Sequence, residues 1–190
     1  MPTETLRPNA AGDKTEWPLC QPPGPDHHFV VDETPPNEDT DYVEVLFSIV
    51  GERRDLYNLP ASSIPAGSTI NKITVYYRHR GTLYTDFRCA ALIKTNGTEY
   101  ASGYTENGTN YQTFSQIWSK NPFTGEDWTI DEINALQIGV AGTRGAWYDE
   151  DTGFTFYDNT RCTQVYVEID YTEAAVAKKV LMDGFIFIEG

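Results

Sequence analysis

Basic charge is scarce in this 190-residue chain: 14 Lys and Arg stand against 28 Asp and Glu, a formal net charge of −14. A sequence-independent nucleic-acid binder needs a cationic stripe to neutralise phosphates, so no nucleic-acid partner is expected. Long apolar runs are missing too. None approaches the roughly 20 residues that span a bilayer, so no membrane partner is expected either. Residues 1–14 lack the basic region and hydrophobic run of a secretory signal. The expectation is a chain made and assembled in the cytoplasm, unless a leader has been removed. Cysteines number three, Cys20, Cys89 and Cys162, with no C-x-x-C spacing, which argues against structural zinc. Cys89 and Cys162 fall in predicted strands and could meet in a disulfide if those strands are neighbours, but buried reduced thiols are the expected state. Catalytic signatures are absent as well: no G-x-S-x-G elbow, no H-E-x-x-H, no phosphate-binding glycine loop. The three histidines, His27, His28 and His79, are not spaced as a metal triad, and adjacent His27 and His28 are expected to be solvated. The sequence therefore assigns no catalytic residue and no cofactor, and the expectation is a non-enzymatic protein.

What the chain does contain is β pattern. Residues 69–80 alternate, with Ile73, Val75 and Tyr77 on one face and Lys72, Thr74, Tyr76 and Arg78 on the other, the period-2 signature of a half-buried strand. Residues 86–95 repeat it, and residues 161–171 turn Val165, Val167 and Ile169 inward. Asn96-Gly97 and Asn107-Gly108 both supply positive-φ pairs for tight hairpins, predicting a meander through residues 99–104 and 111–118. Residues 10–41 are rich in Pro, Gly, Asp and Asn and read as a long irregular excursion. About nine short strands with frequent turn residues predict an all-β fold, an antiparallel two-sheet sandwich of jelly-roll type. One domain is expected over residues 1–171, with residues 141–160 as a protruding hairpin. Residues 172–190 would form a tail.

The tightest stretch is residues 118–140. Asn121-Pro122-Phe123-Thr124-Gly125 stops a strand, because proline fixes φ and Gly125 can take a positive one. Thr129 and Glu132 then stand at capping-box spacing and start a short helix over about residues 129–136. Gln137-Ile138-Gly139-Val140 resumes alternation with a glycine inside the strand. Trp118, Asn121 to Gly125, Trp128 and Thr129 to Val140 together resemble segments of β-sandwich structural proteins of tailed phages, archaeal viruses and related proviral or environmental gene clusters. The opening Thr5-Leu6-Arg7-Pro8-Asn9-Ala10, the run Asp55-Leu56-Tyr57-Asn58-Leu59 and residues 163–171 fit the same resemblance. It covers roughly residues 3–171 and consists of scaffold positions. What it implies is a virion component, a capsid decoration protein or a tail or fibre subunit, held to copies of itself and to another virion protein.

Three sets of side chains are candidates for contact. In the tail, Thr172 can cap a helix over residues 173–182, followed by the apolar strand Phe185, Ile186, Phe187 and Ile188. With Val180 and Leu181, these need a cover, either within the chain or on a neighbour that accepts the arm by strand exchange. Trp147, Tyr148, Phe154, Phe156 and Tyr157 fall within eleven residues, a density suited to a protein interface or to stacking on a glycan. Burial of half of them against the sandwich is the competing expectation. Loop carboxylates Asp39, Asp41, Asp149 and Asp151 are the oxygen donors a calcium site would draw on, yet they lack EF-hand spacing, and solvated acidic loops are expected. Two other functions fit these features: a carbohydrate- or receptor-binding module, and an extracellular filament subunit built by strand donation.

Overall fold

Alternation in the sequence becomes two sheets in the computed structural model, which describes residues 1–24, 26–82, 87–174, 179–182 and 185–188. The strands are β1 (Thr3–Leu6), β2 (Ala10–Thr15), β3 (Leu19–Gln21), β4 (Tyr42–Val45), β5 (Arg53–Asn58), β6 (Thr69–Gly81), β7 (Phe87–Thr95) and β8 (Thr98–Ala101). After them come β9 (Thr105–Asn107), β10 (Gln112–Trp118), the helix α1 (Ile130–Asn134), β11 (Gln137–Thr143), β12 (Gly145–Asp149), β13 (Phe154–Asp158) and β14 (Thr160–Thr172). The tail holds β15 (Lys179–Met182) and β16 (Phe185–Ile188). The first sheet runs β10-β6-β14-β4-β3, with β1 also beside β14. The second runs β2-β5-β11-β7-β8, with β9 also beside β7.

From β4 onward the chain changes sheet at almost every connection: β4 first, β5 second, β6 first, β7 to β9 second, β10 first, β11 second, β14 first. All these pairings are antiparallel. This is the double Greek key of a jelly roll, in which neither sheet can bury its inner face without the other. Ile73, Val75, Tyr77, Val165, Val167 and Ile169 meet Cys89, Ala91, Ile93, Ile138 and Val140 across the interior. The inward faces expected for residues 69–80 and 161–171 are thus observed. β7 and β11 are buried on their outer side too, at Ala90, Leu92 and Ala141. Above that outer side lies a charged layer in which Lys14 and Arg54 both reach Glu99, Arg54 also reaches Glu52, and Lys94 reaches Asp13. Their alkyl stems shield the sheet while the heads stay wet.

Local chemistry explains the turns. Asn96 (φ 48°) and Gly97 (φ 77°) make the two-residue link between β7 and β8, as the Asn-Gly signal requires. Asn107-Gly108 does something else. It was expected to close a hairpin within one meander, but β9 lies beside β7 and β10 beside β6, so the chain crosses from one sheet to the other there. A dipeptide signal reports a bend and cannot tell a hairpin from a crossover. Thr129 caps α1 through the Glu132 amide while the Glu132 carboxylate accepts from the Thr129 amide, completing the expected box. Trp128, Ile133 and Leu136 then plug one end of the sandwich.

Two expectations are corrected. Residues 10–41 are not simply irregular: β2 joins the second sheet and β3 the first. The polar sequence of β2 hides this because its ladder is interrupted between Ala11 and Thr15, where the chain bulges and breaks alternation. The helix expected over 173–182 is a strand at Lys179–Met182, antiparallel to β16 and in neither large sheet; residues 175–178 lie outside those described. Pairing there outweighs helix propensity: Val180 and Leu181 stand in register with Phe187 and Ile186, in a segment where Val, Ile and Phe favour strand.

Candidate functional site at the aromatic hairpin

The strand register gathers one set of sheet-to-sheet crossings at a single end. β14 begins at Thr160 against Val45 and Gly81, the last residues of β4 and β6, while Gly142 near the end of β11 meets Arg53 at the start of β5. The hairpin β12–β13 is inserted at this end, between β11 and β14. Its register is Gly145↔Asp158, Ala146↔Tyr157, Trp147↔Phe156, Tyr148↔Thr155 and Asp149↔Phe154.

Burial against the sandwich is not what happens to these aromatics. Tyr148 is 57% exposed, Phe154 66%, Phe156 36% and Tyr157 41%, a concentration of open ring surface that a soluble domain rarely carries without use. The side chain of Trp147 lies outside what is described. Alternation sorts the rest: Ala146, Tyr148, Thr155 and Tyr157 share one face, and Phe154 and Phe156 share the other. The turn is held by Asp149, whose Oδ1 accepts from the Asp151 and Thr152 amides, and by Gly153 at φ 72°. The Thr152 side-chain hydrogen bond, together with these two amides, holds the Asp149 carboxyl below its ordinary range.

At the root of the hairpin is a pocket of roughly 210 Å³ lined by Arg88, Thr143, Arg144 and Ala146. Arg88 near the start of β7 and Thr143 at the end of β11 are cross-strand neighbours. Arg144 bridges to the hairpin: its Nη1 donates to the Phe47 carbonyl at 3.0 Å and its guanidinium lies 3.8 Å from the centre of the Tyr157 ring. Among the described residues Arg144 has no carboxylate partner. Arg88 has Glu106 at 3.4 Å, with both side chains more than half exposed, a pair worth about 0–1 kcal/mol.

The carboxylates considered for calcium have other work. Asp39 accepts from Arg80 and stands 3.6 Å from Arg161, Asp41 accepts from Asn37, and Asp149 caps its own turn. Asp151 lies in that same turn, lending its amide to Asp149. Among the described residues no three His, Cys, Asp or Glu side chains are grouped so as to hold a metal ion. Asp39 belongs to a ladder on the outer face of the first sheet. There Arg7 lies over Tyr166, Arg80 over Tyr111 and Arg161 over Tyr42, with Tyr76 stacked on Tyr166 at 4.7 Å. It straps residues 32–41 to the sheet through Arg7, which donates to the Asp32 and Glu33 carbonyls, and through Arg78, which reaches Glu38.

Histidines were the poorest expectation. His27 and His28 are buried rather than solvated, His27 because its Nδ1 meets Asp55 Oδ2 at 2.5 Å in the interior. Asp55 also accepts the Glu16 and Trp17 amides at 2.7 and 2.9 Å and the Tyr57 hydroxyl at 3.3 Å, so one buried carboxylate ties the N-terminal segment to β5. A signal existed: Asp55 and Tyr57 alternate onto the same inward face, and an acid directed inward requires a partner. A second pocket, roughly 250 Å³, is lined by Cys20, Gln21, His27 and neighbouring Pro and Gly residues. The Cys20 thiol there donates to the Gly24 and Pro22 carbonyls, so its proton is turned to backbone rather than to a base. Cys89 and Cys162 are both buried thiols close enough to interact, and burial followed by the Cys162 thiol pushes Cys89 up in pKa.

Fold and site together define a class: a jelly-roll domain that presents an aromatic hairpin beside an arginine-lined pocket. No protein-family description matches the chain, and no curated protein matches it.

Proposed function

We propose that this chain is a non-enzymatic virion structural protein, a capsid decoration protein or a tail or fibre subunit. Its jelly-roll body is the rigid unit, and the hairpin β12–β13 with the tail strands β15–β16 holds it to copies of itself or to another virion protein. The observation that carries this reading is the exposure of the Phe154 and Phe156 rings on one face of the hairpin. The resemblance of residues 118–140 to virion β-sandwich proteins points the same way. β16 pairs with β15 in its own chain, so attachment by that tail adds a ready-made hairpin rather than a lone donated strand. Phe154→Ser combined with Phe156→Ser tests the reading by light scattering and electron microscopy of purified protein. The expected result is loss of assembly with an unchanged unfolding midpoint. A wild-type protein that stays monomeric at every concentration refutes self-association through this face.

A second reading, a carbohydrate- or receptor-binding module, is favoured by a separate observation. The opposite hairpin face carries Tyr148 and Tyr157, and Tyr157 lies over Arg144 of the root pocket.

A further inference from the structure

The geometry points to the root pocket as a binding site for a singly charged acidic saccharide, whose carboxylate sits between Arg88 and Arg144 and whose ring lies along Tyr157 and Tyr148. This goes beyond the assembly reading and does not depend on it, because assembly uses the other face of the hairpin. Arg144 has a guanidinium held in place from two sides, by the Phe47 carbonyl and by the Tyr157 ring, yet among the described residues no carboxylate meets its charge. Preorganisation of that kind lowers the ordering cost of binding an anion, and a guanidinium fork matches a carboxylate better than an ammonium does. Arg88 opposite has only a loose, exposed partner in Glu106, which a ligand carboxylate can displace at small cost. Thr143, in register with Arg88, adds a hydroxyl that can donate or accept.

Size and charge narrow the ligand further. Roughly 210 Å³ suits one sugar ring or head group, not an extended chain enclosed on all sides. The tip Asp149, Glu150 and Asp151 and the net charge of −14 repel a polyanion at long range. At physiological salt that repulsion fades beyond about 8 Å, which a single carboxylate placed between two arginines tolerates. Ala146 lines the pocket and shares its face with Tyr157 and Tyr148, so the aromatic surface continues directly from the cation pair. Exposed rings there can take the apolar face of a sugar while the hydroxyls stay in water.

The test is calorimetric titration, with NMR mapping of the Thr143 and Ala146 amides, of the intact protein. Probes are a sialic-acid-terminated trisaccharide, a glucuronate-terminated disaccharide, the corresponding neutral sugars and inorganic phosphate. At least one carboxylated probe is expected to bind and to shift those amides, with its neutral counterpart much weaker. Arg144→Gln and Arg88→Gln should each weaken binding about tenfold or more, the scale of one charge-assisted hydrogen bond. Arg88→Gln guards against a folding artefact, since Arg88 is not stacked into the hairpin. Tyr148→Ala should weaken binding without altering assembly, whereas the Phe154 and Phe156 substitutions should do the reverse. Equal binding of acidic and neutral sugars overturns the proposal, as does unchanged affinity in both folded arginine variants. Phosphate binding as tightly as the saccharides removes the sugar from it, and no binding of either carboxylated probe ends it.

Discussion

His79 makes acid sensitivity of this fold a test of its interior. The ring lies wholly buried on β6, 4.8 Å from Phe114 and stacked 5.7 Å from Tyr77, with Nε2 2.9 Å from the Thr105 hydroxyl. Burial pushes its pKa down from 6.5 to about 4, because the imidazolium loses its water. The folded value lies below the unfolded one, so between them the unfolded chain binds the extra proton. Stability from this group is therefore complete above pH 6.5 and is lost as pH falls toward 4. At about 1.4 kcal/mol per pH unit the loss is roughly 3 kcal/mol, a large part of the 5–15 kcal/mol typical of a domain. Other groups titrate nearby. Glu4, Glu52 and Glu99 are all held below their ordinary pKa through hydrogen bonds and ion pairs that outweigh their partial burial, and they lose stability on acidification too. Urea unfolding of wild type and of His79→Gln, each at several pH values between 7 and 4, cancels those shared losses in the difference. The stability gap between the two proteins should shrink by about 3 kcal/mol across the window. Parallel curves, with a gap independent of pH, would show that His79 is hydrated or compensated and that the reasoning is wrong.

Two substitutions probe the scaffold around the site. A Cβ at Gly139 would stand 1.8 Å from the Asp55 carbonyl oxygen, so Gly139→Ala must displace backbone and should cost about 3 kcal/mol or more in urea unfolding. Gly103→Ala, where a Cβ meets nothing within 4 Å, should stay within about 0.5 kcal/mol of wild type. Thr129→Ala removes the side-chain half of the capping box, leaving the residue 129 amide on Glu132, and should lower stability by about 1 kcal/mol by the same measurement; no change would mean that Trp128 and Ile133 hold α1 without that cap.

The fold was legible where one physical requirement dominated. Half-buried strands need period-2 patterning, and Ile73, Val75 and Tyr77, like Val165, Val167 and Ile169, announced their inward faces directly. Thr129 and Glu132 announced the helix start because few other arrangements satisfy its free amides. Legibility failed where partners lie far apart in sequence. β2 could not be read from Ala10–Thr15, since its bulge breaks alternation and its register depends on a strand some forty residues later. Its Asp13 is committed to Lys94, another partner that local pattern cannot show. The tail misled for a related reason: residues 173–182 have good helix formers, and only pairing with Phe185–Ile188 makes Lys179–Met182 a strand.

The aromatic hairpin was visible as a cluster, but its division of labour was not, because that division depends on register. Pairing Ala146 with Tyr157 puts both tyrosines on the arginine side, and pairing Asp149 with Phe154 puts both phenylalanines on the other. A slip of one residue in β13 would exchange the two sets and leave Arg144 without the ring it lies over. Asp149 and Gly153 set the turn and so fix that register, Asp149 through the amides it accepts and Gly153 through a positive φ. A carboxylate that sequence reading offered to calcium is thus better understood as the residue that keeps the two faces apart. Whatever the hairpin binds, a rigid turn is what allows one narrow ribbon to serve a polar ligand and an apolar contact at once.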